Sequence, residues 1–380
     1  MSGNPDVVVV GAGIVGCATA FELTKRGVTV TLLDRGELSG GTTGLGEGNA
    51  LCSDKDAGPE LDLAVAGMPL FDELEGLVGE RARIRRKGAL IVHPDEVTWT
   101  GEVARAGRLR AAGVSAELLD PEQVCELEPR LTGAICGALY VAEDLQCAPQ
   151  AIARALAAWS AENGSTVRPH TEVAAIEPGR GVRLGDGSPI RAETIVLAAG
   201  PWSAPLAASA GLTLPVEPRK GQLMRLRLPE PDPTFLNRKV VDGSYLGSVT
   251  STAAGRQVST VLETTWDGHV IVGSTRERCG FDEAVDDDLA RIVQERASTL
   301  VPELADLTAD STWVGFRPWL PDGLPAIGPS RAAAGLWVGT GHEGAGIQLG
   351  PITGRLLAEA IAGGTPTLDL APFDPDRFAA

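Results

Sequence analysis

The feature that most constrains the fold is a glycine pattern directly after an apolar run near the N-terminus. Residues 7–10 are four consecutive valines, which predict a buried strand. Gly11, Gly13 and Gly16 follow with the spacing G-x-G-x-x-G, and residues 13–26 predict a helix. A strand that turns through glycines into a helix is the first half of a βαβ unit.

The second half of that unit follows at once along the chain. Gly27 is expected to end the helix, and residues 28–33 predict a second buried strand with Asp34 at its tip. In such a unit the glycines permit a tight turn, the approach of a pyrophosphate and close packing of helix on strand. The helix N-terminus attracts phosphate, and Asp34 can accept hydrogen bonds from ribose hydroxyls. The sequence therefore predicts a dinucleotide site.

Length and composition limit the class of protein. A chain of 380 residues with 43% hydrophobic residues suffices for about two domains. The net charge of −17 argues against nucleic acid and anionic membranes as partners. The six cysteines show no C-x-x-C pair and no metal-ligand spacing. We therefore expect reduced cysteines, no metal and a cytoplasmic location.

Two stretches bear on targeting to membranes. The first strand begins so early that no signal peptide is expected ahead of it. Residues 194–216 carry no charge over 23 positions, enough to span a bilayer, but they contain two glycines and three prolines. A strand, a turn and a short helix explain that composition better, so we expect no membrane span.

The remaining pattern indicates two interleaved domains. Helices are predicted at residues 60–77, 99–119, 149–162 and 282–300, and antiparallel strands within residues 216–280. A final strand and helix complete the chain. This order predicts an α/β fold, α+β overall, in which one domain is interrupted twice by another.

Three further segments resemble the D-amino-acid oxidase superfamily of flavoproteins. Residues 195–203 resemble its cofactor-contacting strand and turn, residues 313–328 its substrate-arginine segment, and residues 339–354 its flavin-ring loop and C-terminal helix. With the glycine unit, the resemblance covers essentially the whole chain in order. It extends to the branch with glycine oxidase, sarcosine oxidase, hydrogen cyanide synthase subunits, opine oxidases and proline or hydroxyproline dehydrogenase catalytic subunits.

The resemblance implies a Rossmann-like FAD-binding domain with an interleaved antiparallel-sheet substrate domain. Residues 1–80, 150–215 and 310–380 are expected in the FAD-binding domain, and residues 81–149 and 216–309 in the substrate-binding domain.

A second G-x-G-x-x-G at residues 339–344 is assigned to the flavin ring, because the chain ends before another strand and acid could follow. One FAD and no nicotinamide site are therefore expected. Some members of the family attach the flavin covalently, through a histidine in the early loop or a cysteine in the C-terminal half. No histidine lies in residues 39–49, and no cysteine lies in the arginine segment or the final loop, so the resemblance implies noncovalent FAD.

The resemblance also implies which residues contact FAD. Thr42 and Thr43 are expected near the pyrophosphate, Gly48 and Asn49 near the flavin ring, and Val173 near the adenine. The full set is Gly11, Gly13, Ile14, Val15, Gly16, Asp34, Arg35, Thr42, Thr43, Gly48, Asn49, Val173, Ala199, Gly200, Trp202, Arg317, Gly341, His342, Gly344, Ala345, Gly346 and Ile347.

Arg317 is the residue expected to bind a substrate carboxylate, as the matching arginine does in the family. A guanidinium binds a carboxylate with two parallel hydrogen bonds, and Gly315 and Pro318 are expected to hold its loop. The alternative is an arginine in a structural salt bridge.

Three more residues are candidates for catalysis. His342 and Glu343 could steer the amine or take a proton, or they could only shape the loop. Tyr245 could hydrogen-bond the carboxylate, as a tyrosine does in relatives, or only pack. Gly344 stands where glycine oxidase has a second arginine, which argues against glycine as substrate. Weaker candidates are Lys220, Trp266 and His269.

The resemblance implies hydride transfer from an amino or imino acid to FAD, giving an imine that water hydrolyses, with secondary amines preferred. One alternative is oxidation of a 2-hydroxy acid, for which a base such as His342 would be indispensable. Another is a flavin subunit of a multi-subunit dehydrogenase. Oxygen or a redox partner would take the electrons, and both a homo-oligomer and a heteromeric complex are compatible with the sequence.

Overall fold

A six-stranded sheet, parallel except at one edge, forms the first layer. The computed structural model describes residues 4–132 and 135–379, so the predicted domain limits 1 and 380 lie outside the described residues. The strands lie in the order Ala326–Pro329, Leu336–Thr340, Thr194–Leu197, Val7–Val10, Val30–Leu33 and Thr166–Arg168. The antiparallel pair is the first one, at the edge. The predicted α/β class is confirmed.

The predicted βαβ unit is confirmed. Val7–Val10 pairs in parallel with Val30–Leu33, and the helix Ile14–Lys25 connects them. Gly27, at φ 77°, follows the end of the helix. The odd-numbered valines of the first strand lie in one hydrophobic core and the even-numbered valines in another. Burial on both faces explains why every position of this strand is apolar.

Helices pack on one face of the sheet, and a small sheet packs on the other. A Cβ on Gly354 would lie 2.5 Å from the carbonyl carbon of Ala18, so glycine lets the last helix approach the first. The helices on that face are Ile14–Lys25, Pro59–Val78, Pro149–Glu162 and Gly346–Ile361. The opposite face holds the antiparallel strands Val173–Glu177, Gly181–Leu184 and Pro189–Arg191 and the helix Ser203–Ser209.

An eight-stranded mixed sheet forms the second large layer and contains the predicted antiparallel strands. Its order is Thr308–Trp319, Glu217–Arg227, Val270–Arg276, Gln257–Thr264, Lys239–Asp242, Ala89–His93, Gly137–Val141 and Ala116–Leu119. The helices beside it are Glu96–Ala111, Pro121–Leu127, Tyr245–Thr250 and Asp287–Leu300. The short strands Asn49–Ala50, Leu145–Gln146 and Arg85–Arg86 form a further sheet.

The helix predicted at residues 99–119 is wrong in its second half. The helix is Glu96–Ala111, and the strand Ala116–Leu119 follows it. Gly113 adopts φ 90° just after the last helical turn, which ends the helix. The apolar residues beyond that glycine then pair as an edge strand of the larger sheet.

The helix predicted to begin at residue 282 begins at Asp287 instead. The carboxylate of Asp286 accepts a hydrogen bond from the N–H of Leu289 at 3.0 Å, which caps the helix. The residues before it form a loop rather than the first turns of the helix.

The segment around Trp313 and Arg317, predicted as glycine-rich loop, is a strand. Thr308–Trp319 pairs along its length with Glu217–Arg227, so Arg317 is held by strand pairing rather than by a loop. Pro218 lies opposite Pro318 in this register, at a position where neither residue needs to donate a backbone N–H hydrogen bond to the other. The predicted domain boundaries stay a prediction, although this strand pairs within the eight-stranded sheet.

Candidate active site

A cavity of about 1140 Å³ is lined from both large sheets. Val10, Leu33 and Thr340 line it from the C-terminal ends of parallel strands, and Leu223 and Val261 line it from the eight-stranded sheet. Ligands of open α/β sheets bind outside the carboxyl ends of the strands. The cavity therefore lies where a dinucleotide is expected.

Most residues predicted to contact cofactor or substrate line this cavity. The exceptions are Gly16, where a Cβ would lie 1.8 Å from the carbonyl oxygen of Gly11, and Gly341, which packs at φ 85° against Leu320. Glycine is required at both positions because a Cβ would collide with the neighbouring atoms. The predicted residues that line the cavity are Gly11, Gly13, Ile14, Val15, Asp34, Arg35, Thr42, Thr43, Gly48, Asn49, Val173, Ala199, Gly200, Trp202, Tyr245, Arg317, His342, Glu343, Gly344, Ala345, Gly346 and Ile347.

The glycine turn and a threonine form a cradle at the start of the first helix. Gly11 adopts φ 103°, and a Cβ there would lie 2.4 Å from the carbonyl oxygen of Ala198. The N–H of Ile14 donates to Thr43 Oγ1 at 3.0 Å, and Gly13 lies beside the same hydroxyl. A helix N-terminus with this access suits a pyrophosphate.

Asp34 and Arg35 form the next part of the cavity wall. Asp34 Oδ2 accepts from the N–H of Ala12 at 2.7 Å, and Oδ1 accepts from the N–H of Gly36 at 2.8 Å. Each carboxylate oxygen keeps a lone pair for a ribose hydroxyl. The Arg35 guanidinium lies 4.3 Å from the ring centre of Trp202. The residues present fit a dinucleotide.

An aromatic stack joins the cavity wall to a loop of the eight-stranded sheet. The ring of Phe281 lies parallel to that of Trp202 at 5.4 Å, and it meets Phe316 edge-on at 5.2 Å. Lys220 Nζ donates to Asp282 Oδ2 at 2.7 Å, which anchors the loop. Lys220 therefore holds this loop and does not line the cavity.

Arg317 extends over a glycine of the paired strand. A Cβ on Gly221 would lie 2.1 Å from Arg317 Nη1, so only glycine leaves room for the guanidinium. Nη1 donates to the carbonyl oxygen of Thr275 at 3.0 Å. Within residues 4–132 and 135–379, the Arg317 side chain makes no second hydrogen bond. Burial lowers the pKa of Arg317, and the neighbouring Arg276 lowers it further. The other N–H groups of the guanidinium are available to an anion.

Glu343 lies among three arginines. Its Oε1 is 3.3 Å from Arg276 Nε, 3.5 Å from Arg219 Nη1 and 3.9 Å from Arg317 Nε. Burial alone would raise the pKa of Glu343, but Arg276, Arg317 and Arg219 outweigh burial and hold the pKa below its ordinary value. The N–H of Glu343 donates to the carbonyl oxygen of Pro318 at 3.0 Å. The side chain is thus a fixed carboxylate at the cavity wall.

Tyr245 lines the cavity from the first turn of the helix Tyr245–Thr250. Its ring centre lies 4.5 Å from Arg276 Cζ, a cation–π contact. Burial raises the pKa of Tyr245, although Arg276 opposes that rise. The structure therefore brings together Arg317, Glu343 and Tyr245, which were predicted from separate segments.

A second group of buried charges adjoins Asn49. Lys239 and Glu47 form a close ion pair, as do Lys87 and Glu263. When the Asn49 amide is oriented to satisfy both neighbours, it donates to Glu263 Oε2 at 2.7 Å and accepts from Lys239 Nζ at 3.2 Å. Burial would lower the pKa of Lys239, but Glu47 and Glu263 raise it. This group fixes the Asn49 loop.

Asp54 and Lys55 also line the cavity, from a loop that buried polar groups hold in place. Lys55 Nζ donates to Asp54 Oδ1 and to the carbonyl oxygen of Leu51, both at 2.7 Å. Arg105 Nη1 donates to the carbonyl oxygens of Ser53 at 2.7 Å and Lys55 at 2.9 Å. The buried Arg105 therefore holds this loop in place through its carbonyl oxygens.

His342 directs its ring into the last helix. It is 3% exposed, and Nε2 lies 2.9 Å from Thr353 Oγ1. Burial lowers the pKa of His342 to about 3. Because the ring is neutral and hydrogen-bonded away from Arg317 and Glu343, the geometry favours the interpretation that His342 shapes the loop.

Replacing His342 with Gln should make the protein less sensitive to acid. The unfolded chain binds a proton at His342 below pH about 6.5 and the folded chain only near pH 3, so acidification in that window favours unfolding. This one group costs up to about 1.4 kcal/mol per pH unit. Unfolding free energies measured from neutral pH downward should fall less steeply in the variant. Parallel curves would contradict the burial argument.

Residues whose charge is buried beside the cavity were not predicted from the sequence. Arg276 is the last residue of the strand Val270–Arg276, and Lys239 is the first residue of the strand Lys239–Asp242. A charged residue at the end of a predicted strand is the sequence signal that could have identified both. Which face they occupy follows only from the register. The missed residues are Asp54, Lys55, Arg219, Lys239 and Arg276. Of the weaker candidates, Trp266 packs under Arg85 and His269 accepts from the N–H of Leu228, both outside the cavity.

Two further properties concern membranes and metals. Across residues 4–132 and 135–379, no helix has the length and apolar character to cross a bilayer. Over the same ranges, no group of three or more His, Cys, Asp or Glu side chains is placed to hold a metal ion.

A protein-family model and a known relative both match almost the whole of this chain. The family model described as FAD dependent oxidoreductase matches residues 6–360. A glycine oxidase from Pseudomonas aeruginosa is 33% identical over 391 residues, covering 97% of this chain and 98% of that protein.

Two solved structures extend the similarity to the fold. The crystal structure of glycine oxidase from Geobacillus kaustophilus superposes with a TM-score of 0.89 at 28% identity and covers 100% of both chains. The iminodiacetate oxidase from Chelativorans sp. BNC1 gives a TM-score of 0.83 at 27% identity over 97% of this chain and 98% of that one.

Proposed function

The chain belongs to the family of FAD-dependent oxidoreductases, and from that premise we propose that it oxidises the C–N bond of an amino or imino acid. FAD is its cofactor. The observation that carries the proposal is Arg317, whose unengaged N–H groups lie in the same cavity as the glycine cradle. A fixed guanidinium beside a redox cofactor suits a substrate with a carboxylate next to the reacting carbon.

The chain offers contacts along the whole cofactor. The start of the first helix at Gly13 and the Thr43 hydroxyl would hold the pyrophosphate, Asp34 the ribose, and Asn49 with residues 344–347 the flavin ring. We propose noncovalent binding: no cysteine is among the described lining residues, and His342, the histidine that lines the cavity, is engaged by Thr353.

The chemistry that bound FAD would supply is acceptance of a hydride from the substrate carbon, which would leave a C=N bond that water hydrolyses. Arg317 binds the carboxylate and fixes the substrate carbon. Glu343 accepts a hydrogen bond from the substrate N–H. The three arginines around one carboxylate leave excess positive charge, which lowers the pKa of the amine and favours its neutral, reactive form.

A secondary amine fits this site better than glycine does. Gly344 carries no side chain, and a Cβ there would already lie 3.7 Å from Arg317 Nε. The missing side chain leaves space beside the guanidinium for a substituent on the nitrogen. The relative from Chelativorans is named for iminodiacetate, which is itself a secondary amine.

The experiment is a product analysis. The purified protein is incubated with primary amino acids, N-methyl amino acids, cyclic imino acids and 2-hydroxy acids, in air or with an artificial electron acceptor. We expect N-methyl amino acids to yield methylamine and a 2-oxo acid. Turnover in air alone indicates oxygen as acceptor, and turnover only with the added acceptor indicates a redox partner. Turnover of 2-hydroxy acids without any amine would overturn the proposal.

Phe281→Ala should weaken FAD binding without abolishing it. Phe281 stacks on Trp202, which lines the cavity, and an aromatic pair contributes about 0.5–1.5 kcal/mol beyond its buried area. We expect the FAD dissociation constant to rise by roughly 3–10-fold, measured by titrating apoprotein and following flavin fluorescence. Val97→Ala, at an exposed position of the helix Glu96–Ala111, is the control. An unchanged dissociation constant in Phe281→Ala would contradict this role of the stack.

A further inference from the structure

Glu343 lies closer to two buried arginines than to Arg317. Its Oε1 is 3.3 Å from Arg276 Nε and 3.5 Å from Arg219 Nη1, against 3.9 Å from Arg317 Nε. The contact with Arg317 is too long for a hydrogen bond. The carboxylate is therefore drawn away from the arginine that the proposed function needs.

Arg219 and Arg276 cannot themselves reach a substrate. Each is 1% exposed, and neither is among the described residues that line the cavity. Arg219 Nη2 donates to the carbonyl oxygens of Ser248 at 2.9 Å and Ser251 at 3.1 Å. Arg276 Nη1 donates to Ser248 Oγ at 3.1 Å. Both guanidinium groups are thus fixed behind Glu343.

The same two arginines also contact the helix that carries Tyr245, a second part of the cavity wall. Ser248 belongs to the helix Tyr245–Thr250, and the ring of Tyr245 lies 4.5 Å from Arg276 Cζ. One buried pair therefore holds both the Glu343 loop and the Tyr245 helix. A side chain that only filled space would not need charge at this position.

Resting on the proposed function, we infer that Arg219 and Arg276 are positioning residues that hold Glu343 off Arg317. Arg317 then keeps its N–H groups for the substrate carboxylate, and Glu343 presents its oxygen to the substrate amine. The pair selects substrates that carry both a carboxylate and an amine by keeping one cation and one anion of the site apart. Without the pair, Glu343 would close onto Arg317 and occupy the carboxylate site.

The inference is tested with ligands that cannot be oxidised. Isobutyrate carries only a carboxylate, whereas 2-aminoisobutyrate carries the same carboxylate with an amine and has no hydrogen on the reacting carbon. Binding of each to the FAD-loaded protein is followed by the shift of the visible flavin spectrum. The variants are Arg276→Gln, Glu343→Gln and the double variant.

In the wild type, the dissociation constant of 2-aminoisobutyrate should be lower than that of isobutyrate by about tenfold or more. Isobutyrate has no amine and so lacks the hydrogen bond to the charged Glu343 carboxylate. Glu343→Gln should remove that preference and leave isobutyrate binding at least as tight. Arg276→Gln should weaken isobutyrate about tenfold or more, since Glu343 then pairs with Arg317. The double variant should bind isobutyrate nearly as the wild type does.

That rescue separates positioning from a merely structural role. If Arg276 only supports the fold, the double variant will bind isobutyrate no better than Arg276→Gln does, and the inference is overturned. Arg225→Gln is the matched control, because Arg225 pairs with Asp310 on the exposed part of the same sheet. Should Arg276→Gln fail to fold, Arg276→Lys replaces it: lysine keeps a charge at the buried position but lacks the guanidinium fork, so isobutyrate binding should weaken in part, and Glu343→Gln should restore it.

Failure of the proposed function has a different signature. A wild-type protein that holds FAD but responds to neither ligand would overturn the proposed function and this inference with it. If the wild type binds both ligands but Glu343→Gln restores isobutyrate binding neither in Arg276→Gln nor in Arg276→Lys, the inference alone is overturned.

Discussion

We expect Arg317→Met to lower kcat/KM for an amino acid substrate by about thirtyfold to several-thousandfold, the range for truncating one partner of a buried, hydrogen-bonded charge pair. Methionine approximates the length of the arginine stem but cannot bind a carboxylate. The removed guanidinium makes one hydrogen bond within the described residues, to the Thr275 carbonyl, so little else is lost. The rate of anaerobic flavin bleaching at varied substrate concentration measures the effect.

Two controls decide what the Arg317 result means. Arg317→Lys keeps the charge but not the two-pronged geometry, and it should retain part of the activity. Arg225→Met removes an arginine from the neighbouring strand, where it pairs with Asp310 and Asp267 at the surface, and should leave activity unchanged. An Arg317→Met variant with wild-type kcat/KM and full FAD content would contradict the assignment of the carboxylate site.

We expect Gly16→Ala to abolish FAD retention and to lower the melting temperature. An alanine Cβ would lie 1.8 Å from the carbonyl oxygen of Gly11, a backbone atom that cannot turn aside. The helix must then move off the strand, which distorts the turn that forms the phosphate cradle. Alanine in a helix interior is ordinarily favoured over glycine by about 1 kcal/mol, so any loss of stability reports the collision.

The matched control for Gly16 is another glycine inside a helix. Gly107 lies within Glu96–Ala111, and a Cβ added there would meet no other atom within 4 Å. Gly107→Ala should therefore keep FAD and raise stability slightly. The ratio of flavin to protein absorbance after purification and the melting temperature are measured for both variants. Full flavin content in Gly16→Ala would show that the close packing at this turn is not required.

The cofactor half of the site could be predicted from sequence because its determinants are local. Glycines, apolar runs and Asp34 fall at fixed spacings within one βαβ unit. In the structure the apolar runs form paired strands, the glycines allow close backbone approach, and Asp34 accepts a hydrogen bond from the Ala12 N–H. The same holds for residues 195–203, where a strand leads directly into a short turn and helix.

The substrate half could be predicted only in part, because pairing across distant strands builds it. Arg317 lies opposite Arg219 in the register, about a hundred residues away in the sequence, and Gly221 makes room for it. The charge of Arg276 is evident in the sequence, but its burial behind Glu343 is not. The prediction of a loop around Arg317 was wrong for the same reason, because the strand there forms only by pairing with Glu217–Arg227.

The most direct test of C–N oxidation compares a matched pair of substrates under anaerobic conditions. N-methylalanine and lactate share a carboxylate and a methyl-bearing carbon and differ in the group to be oxidised. We predict that N-methylalanine, or a longer N-alkyl amino acid, bleaches the visible flavin absorbance and that the corresponding 2-hydroxy acid does not. Bleaching by the 2-hydroxy acid, with every amine inert, would contradict C–N oxidation as the reaction of this protein.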